Sequence, residues 1–134
     1  MSQENVEIIR PAYEALSRGD VDAVLQICSP DIECRLPEGG INTGTLRGHQ
    51  ALKGFLESYI DAFESFRLEP EEVLDADDQV VVFLRVLGRG RGSGLEVDTR
   101  PGHVWTMQGD KAVRVEVFPH RDRQAALEAA GLRE

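Results

Sequence analysis

The stretch Ala12-Tyr13-Glu14-Ala15-Leu16-Ser17-Arg18-Gly19-Asp20 closes one helix and opens the next, and the rest of the chain is read outward from it. Upstream, Val6, Ile9, Ala12, Tyr13 and Leu16 recur at helical spacing, with Ile8 and Ala15 beside them. Residues 4–17 are therefore predicted to form a helix with one buried stripe. Pro11 lacks a backbone donor and is expected to bend this helix or restart it near Arg10. Gly19 ends it, and Asp20 is placed to cap a second helix over 21–28, with Val21, Val24, Leu25 and Cys28 facing inward.

Downstream, Ser29-Pro30-Asp31 breaks the second helix, and Ile32, Cys34 and Leu36 alternate with Glu33 and Arg35 as in a half-buried strand. Residues 37–47 hold three glycines and a proline and are predicted to be a mobile loop. A third helix runs from Gly48 to Ile60 or slightly beyond, with its stripe at Leu52, Phe55, Leu56, Tyr59, Ile60 and Phe63. From Arg67 the period changes to two. Strands are predicted at 68–74, 80–87, 95–107 and 112–118, with turns at Ala76-Asp77-Asp78-Gln79 and Gln108-Gly109-Asp110-Lys111. The strand 80–87 is almost continuously apolar, which suits a central position covered on both faces. Asp122 can cap a short last helix from Arg123 to Ala130 that ends at Gly131.

Helices followed by a run of strands make an α+β domain, and 134 residues with no repeat or linker make one domain, 1–134. The chain is 41% hydrophobic and 29% charged, enough for both a core and a solvated surface. Its formal net charge of −9 disfavours nucleic acid and anionic membranes as partners. No apolar run reaches the ~18 residues of a membrane-spanning helix, and the acidic start carries no apolar stretch of a secretory signal, so a cytoplasmic protein is expected. Cys28 and Cys34 fit small buried residues in a reducing compartment. With histidines scattered at 49, 103 and 120, the cysteines match no metal-ligand spacing, and no metal or cofactor is expected. Gly88 to Gly94 joins two strands and lacks the Lys-Ser/Thr ending of a phosphate loop, so it reads as a flexible hairpin.

Tyr13 to Asp20, Ser29 to Glu33, Leu46 to Phe55 (Leu-Arg-Gly-His-Gln-Ala-Leu-Lys-Gly-Phe) and the hairpin His103 to Phe118 occur in an order that resembles the nuclear transport factor 2-like superfamily, and within it the SnoaL-like group. The resemblance implies a cone: a curved, mixed, mostly antiparallel sheet wrapped around three N-terminal helices, of the nuclear transport factor 2-like and cystatin-like type. It implies a cavity for a small apolar molecule and pairing as a homodimer through the outer face of the sheet. Relatives include polyketide cyclases, ketosteroid isomerases, epoxide hydrolases and members without catalysis, so fold alone does not settle function.

The same resemblance makes His103 the first candidate for catalysis, as acid, base or oxyanion donor. Arg114 and Glu116 lie two apart on one strand and share a face. Alternation alone puts Val113, Val115 and Val117 inward and these charges in solvent. The resemblance implies the reverse, with Arg114, Glu116 and Phe118 in the cavity and the valines outside, Glu116 as a catalytic residue that orients His103 or takes a proton and Arg114 as one that holds charge. The usual isomerase aspartate is replaced by Leu36, and the isomerase tyrosine aligns with Ala12, one residue before Tyr13. Tyr13, Leu36, Phe55, Tyr59, Trp105, Met107 and Phe118 are the expected substrate-contacting residues. Arg85 interrupts an apolar strand and is expected to reach a carboxylate or run along the sheet, with an anionic ligand as the alternative. Two functions stay open: a cofactor-independent isomerase- or cyclase-type enzyme with an apolar substrate, and a non-catalytic ligand-binding or dimerisation module.

Overall fold

A computed structural model of the chain describes residues 2–37, 44–119 and 122–132. Its elements are α1 (Ser2–Ser17), α2 (Val21–Gln26), β1 (Cys28–Leu36), β2 (Gly44–Arg47), α3 (Gly48–Asp61), β3 (Phe63–Ala76), β4 (Gln79–Gly90), β5 (Glu96–Thr99), β6 (Gly102–Gln108), β7 (Lys111–Phe118) and α4 (Arg123–Ala129). The strands form one curved, unclosed sheet in the order β2-β1-β7-β6-β4-β3, with β5 beside β4. Every pairing is antiparallel except β1 with β7.

The helices follow the apolar spacing. In α1, Val6, Ile9, Ala12, Tyr13 and Ala15 are buried. α1 is helical throughout, so Pro11 does not restart it. Pro11 lies on the exposed face, so water can satisfy the carbonyl whose donor it removes. Gly19 leaves the helix at φ +79°, a conformation costly for other residues, and the Asp20 carboxylate accepts from the Ala23 amide at 3.2 Å. The second helix stops at Gln26, short of the expected 28, and Cys28 already pairs in β1. Ser29-Pro30-Asp31 therefore does not end the helix as expected but lies within β1, across a register shift between Cys28 and Glu33 where Pro30 needs no ladder partner. The expected loop 37–47 ends in an edge strand, β2, paired to β1 from Leu36↔Gly44 to Glu33↔Arg47. Residues 38–43 lie outside the described residues.

The single strand expected at 95–107 is two strands, β5 and β6, broken at Arg100-Pro101. Proline has no amide for the ladder, and its carbonyl accepts from the Leu84 amide at 3.1 Å instead. Side-chain alternation survives the break, so Thr99, Pro101, His103 and Trp105 all face the inner side. Asp122 starts α4 without a side-chain capping bond. The helix is held by Arg123 instead, whose guanidinium pairs with Glu72 at 2.7 Å and stacks 4.3 Å over the Phe83 ring.

The core has two sides. On the inner face, Val80, Val82, Leu84 and Val86 of β4 pack with Trp105, Val115, Ile32 and the helices α1–α3. On the outer face, α4 covers Val81, Val104, Phe83 and Phe118. Beyond α4 the outer face is charged: Glu33 sits 2.8 Å from Arg35, 3.5 Å from Arg47 and 4.0 Å from Arg114. Arg35 holds the Glu33 carboxyl below the usual carboxylate range. Arg85 also points outward, in a two-pronged contact with Asp98 at 3.0 and 2.8 Å, so its role is structural and the anionic-ligand alternative falls away. No helix among the described residues is long and apolar enough to cross a membrane.

Candidate functional site

Between the inner face and the helices lies a cavity of about 270 Å³. Alternation along β1, β4, β6 and β7 supplies one wall: Cys34 and Leu36, Leu84 and Val86, His103 and Trp105, Val115 and Val117. The opposite wall comes from Ala12, Tyr13 and Leu16 of α1, Val24 of α2, and Leu52, Phe55, Leu56 and Tyr59 of α3. Near α3 the wall continues into an aromatic cluster, with Tyr59 5.3 Å from Phe63 and Phe63 5.7 Å from Phe66 between ring centroids. Gly88 makes room for it: a Cβ there would stand 2.8 Å from the Phe63 ring.

Thr99, Tyr59 and one hydrogen-bonded chain interrupt the apolar lining. Trp105 Nε1–H donates to the Tyr13 hydroxyl at 2.8 Å, and that hydroxyl is 2.7 Å from His103 Nδ1. The Tyr13 ring stacks on the imidazole at 5.7 Å and meets the indole edge-on at 6.4 Å. Tyr13 is only 2% exposed and Trp105 6%. Burial drives the His103 pKa down from 6.5 to about 4, so the imidazole is neutral at pH 7. Burial pushes the Tyr13 hydroxyl up, partly offset by the Trp105 bond, and it likewise raises Tyr59 and moves the Cys34 thiol to about 11. Every titratable side chain in the described lining is therefore uncharged at pH 7, and the lining holds no Asp, Glu, Lys or Arg. His103 Nε2 has no hydrogen-bond partner among the described residues, and His103 lines the cavity. No group of three or more His, Cys, Asp or Glu able to hold a metal occurs among the described residues.

Of the expected site residues, Tyr13, Leu36, Phe55, Tyr59, His103 and Trp105 surround the cavity. Met107 packs in the inner core without reaching the lining. The expectation for Arg114, Glu116 and Phe118 is overturned. Val115 and Val117 line the cavity, so their neighbours face the other way, and Phe118 sits under α4. The cause is a bulge: Met107 pairs with Ala112 and Thr106 with Arg114, which leaves Val113 without a partner and sets the phase of the strand beyond it. Arg114 then approaches Glu33 on the outer face, its Nε buried without a hydrogen bond. Leu36 stands in the wall, which is apolar there. Thr99, Pro101 and Cys34 are lining residues that the sequence reading did not select; Cys34 was legible as inward from its alternation with Ile32 and Leu36.

The profile of the SnoaL-like domain matches residues 9–115. Among solved structures, TerC, co-crystallised with polyporic acid, is 30% identical, with 96% of this chain and 98% of that chain aligned at a TM-score of 0.77. A nuclear transport factor 2-like protein of unknown function from Burkholderia pseudomallei is 25% identical, with 96% of each chain aligned at a TM-score of 0.79. SalBIII, an epoxide hydrolase/cyclase-like enzyme of pyran ring formation in salinomycin, shares the fold at 19% identity, with 89% of this chain and 92% of that chain aligned at a TM-score of 0.75. No functionally curated protein matches the chain. With most of its length covered by the family profile, the chain belongs to the SnoaL-like domain family.

Proposed function

We propose that the protein takes a small, apolar, carbonyl-bearing molecule into this cavity and polarises the carbonyl through His103. The observation that carries this reading is a neutral imidazole, with one nitrogen unpartnered among the described residues, in the wall of a mostly apolar cavity of about 270 Å³. A mostly apolar hollow with a few placed polar groups is the ordinary form of a small-molecule site, and this volume lies near the lower end for drug-sized ligands, roughly 300 Å³. The likeness to TerC, crystallised with polyporic acid, supports an oxygenated organic ligand.

The chemistry that fits is stabilisation of charge developing on the carbonyl oxygen, as in isomerase- or cyclase-type reactions. A carboxylate base would need an acidic residue in the wall, and the described wall has Leu36 there. Any proton in such a reaction therefore moves between groups of the substrate or by way of His103. The absence of an ionised group from the described lining favours a second reading, a ligand carrier without turnover.

Trp105 is the only tryptophan of the chain and stands in the cavity wall, so its fluorescence reports occupancy. Titration with aryl ketones and with polyporic acid is expected to give saturable quenching, which Val115→Phe, filling the cavity, removes. If no compound of the panel changes the fluorescence, the ligand reading is wrong. If ketones bind but are not converted, by the wild type or by any mixture of the panel, the carrier reading replaces the enzymatic one.

A further inference from the structure

The polar chain behind His103 has a direction. Indole Nε1–H only donates, so at the Trp105–Tyr13 contact the phenolic oxygen accepts. The phenol has a single hydrogen, and with Trp105 on one side of the oxygen, the acceptor left within reach is His103 Nδ1 at 2.7 Å. Nδ1 must then be bare, and the imidazole proton sits on Nε2, the nitrogen without a partner among the described residues. In the opposite tautomer Nδ1–H would donate to an oxygen already accepting from Trp105. The Tyr13 hydrogen would then be stranded in a residue 2% exposed. Stranding a buried donor biases the equilibrium by roughly ten- to a hundredfold.

We propose that Tyr13, backed by Trp105, is a positioning residue that locks His103 as the Nε2–H tautomer, so that the cavity offers its ligand a hydrogen-bond donor and not a base. This rests on the ligand reading above and refines it: the group facing His103 must be an acceptor such as a ketone, quinone or lactone oxygen. A ligand that presents only N–H donors there, such as a primary ammonium, meets the hydrogen of Nε2 head-on and also carries its charge into an apolar cavity. The device acts without any charged residue, which agrees with the uncharged lining.

The direct test is long-range ¹H–¹⁵N correlation of the imidazoles at pH 7 in ring-labelled protein. His103 is assigned among the three histidines by its disappearance in His103→Asn. The wild type is expected to show a protonated Nε2 and a bare Nδ1 at His103. Tyr13→Phe, lacking the phenolic hydrogen, is expected to give a mixture of tautomers. A wild-type spectrum with Nδ1–H, or a Tyr13→Phe spectrum still purely Nε2–H, overturns the proposal. If Tyr13→Phe fails to fold, Trp105→Phe replaces it: freeing the phenol to rotate should also mix the tautomers, and an unmixed spectrum counts against the lock.

Binding supplies the second readout with a matched set, 2-acetylnaphthalene, 2-ethylnaphthalene and 1-(2-naphthyl)ethylamine. Followed by calorimetry, the ketone should bind the wild type about tenfold tighter than the hydrocarbon, the worth of one hydrogen bond of ~1.4 kcal/mol, and the ammonium compound should bind weakest. Equal affinity of ketone and hydrocarbon in a protein whose spectrum shows Nε2–H refutes the donor role. If none of the set binds, the ligand reading fails, while the spectrum still decides the tautomer.

Discussion

Acidification should destabilise this protein through His103, and the size of the effect follows from its surroundings. Burial lowers the pKa from 6.5 to about 4 in the folded state, whereas the unfolded chain keeps the ordinary value. Between those two values the unfolded state binds a proton that the folded state does not, so stability is full above pH 6.5 and drains away as the pH falls toward 4. Integration gives a loss of about 2 kcal/mol by pH 5 and about 3 kcal/mol by pH 4. With an unfolding entropy of ~2.1 cal/mol/K per residue over 134 residues, the loss at pH 5 lowers Tm by about 7 °C. The titratable groups that share the described cavity are Tyr13, Tyr59 and Cys34, all raised by burial and silent in this range. The assay is urea unfolding at half-unit steps from pH 7.5 to 4, wild type against His103→Asn. Asparagine can still accept from the Tyr13 hydroxyl but does not titrate. Carboxylates such as Glu33, whose pKa is lowered, add acid sensitivity of their own, but it is common to both proteins and cancels in the difference. Parallel pH curves for the two proteins would show that His103 is not buried as a neutral imidazole, and the site chemistry argued above would lose its basis.

Gly88→Ala should cost about 1–3 kcal/mol in chemical denaturation, because the new methyl meets the Phe63 ring at 2.8 Å and the Ser65 carbonyl at 3.0 Å. Asp20→Ala removes the side-chain acceptor at the start of α2 and should cost about 1 kcal/mol, with Asp20→Asn largely restoring it. Arg123→Ala takes away both the Glu72 pair and the contact over Phe83. It should cost about 1 kcal/mol and raise amide exchange in α4 while leaving α1 unchanged. Leu36→Asp puts a carboxyl into the apolar wall, where its pKa rises; its stability relative to wild type should therefore improve as the pH falls from 7 to 5, the opposite sign to His103, and a flat difference across that range would count against the apolar wall.

The helices and the alternation of β1 and β6 were legible because each follows from local spacing. Ile32 and Cys34 alternate with Glu33 and Arg35, and both came out buried, at 1% and 3% exposure. His103 and Trp105 likewise share a face by position alone. The bulge at Val113 was not legible. No glycine or proline marks it, and it is set by the pairing of Ala112 with Met107 across the hairpin. That one unpaired residue fixes the phase of β7. Plain alternation placed Val115 and Val117 correctly, and the resemblance to relatives placed Arg114 and Glu116 wrongly. Arg100-Pro101 split a strand that pattern alone ran together, although proline was in view. The contact between Tyr13 and His103 joins residues ninety positions apart, so no local pattern could announce it.

The placement of the charges explains why the cavity is left with so little chemistry of its own. An Arg114–Glu116 pair inside it would need enough hydrogen bonds to repay the desolvation of two ions, and the apolar side chains around it offer none. On the outer face Arg114 instead joins a row of charges in which Glu33 is shared among Arg35, Arg47 and Arg114. Moving them outward leaves neutral polar groups in the described lining, His103 among them, as hydrogen-bonding partners for a ligand, and it makes the protonation state of that imidazole an important variable. A neutral donor in a low-dielectric wall stabilises developing negative charge on an oxygen without having to be desolvated at the moment of reaction. It cannot by itself remove a proton from carbon while the tautomer holds. The site is therefore suited to reactions in which the substrate carries its own nucleophile or base, or to binding alone. Tyr13 matters in either case, because it decides which nitrogen of His103 holds the proton that the ligand meets.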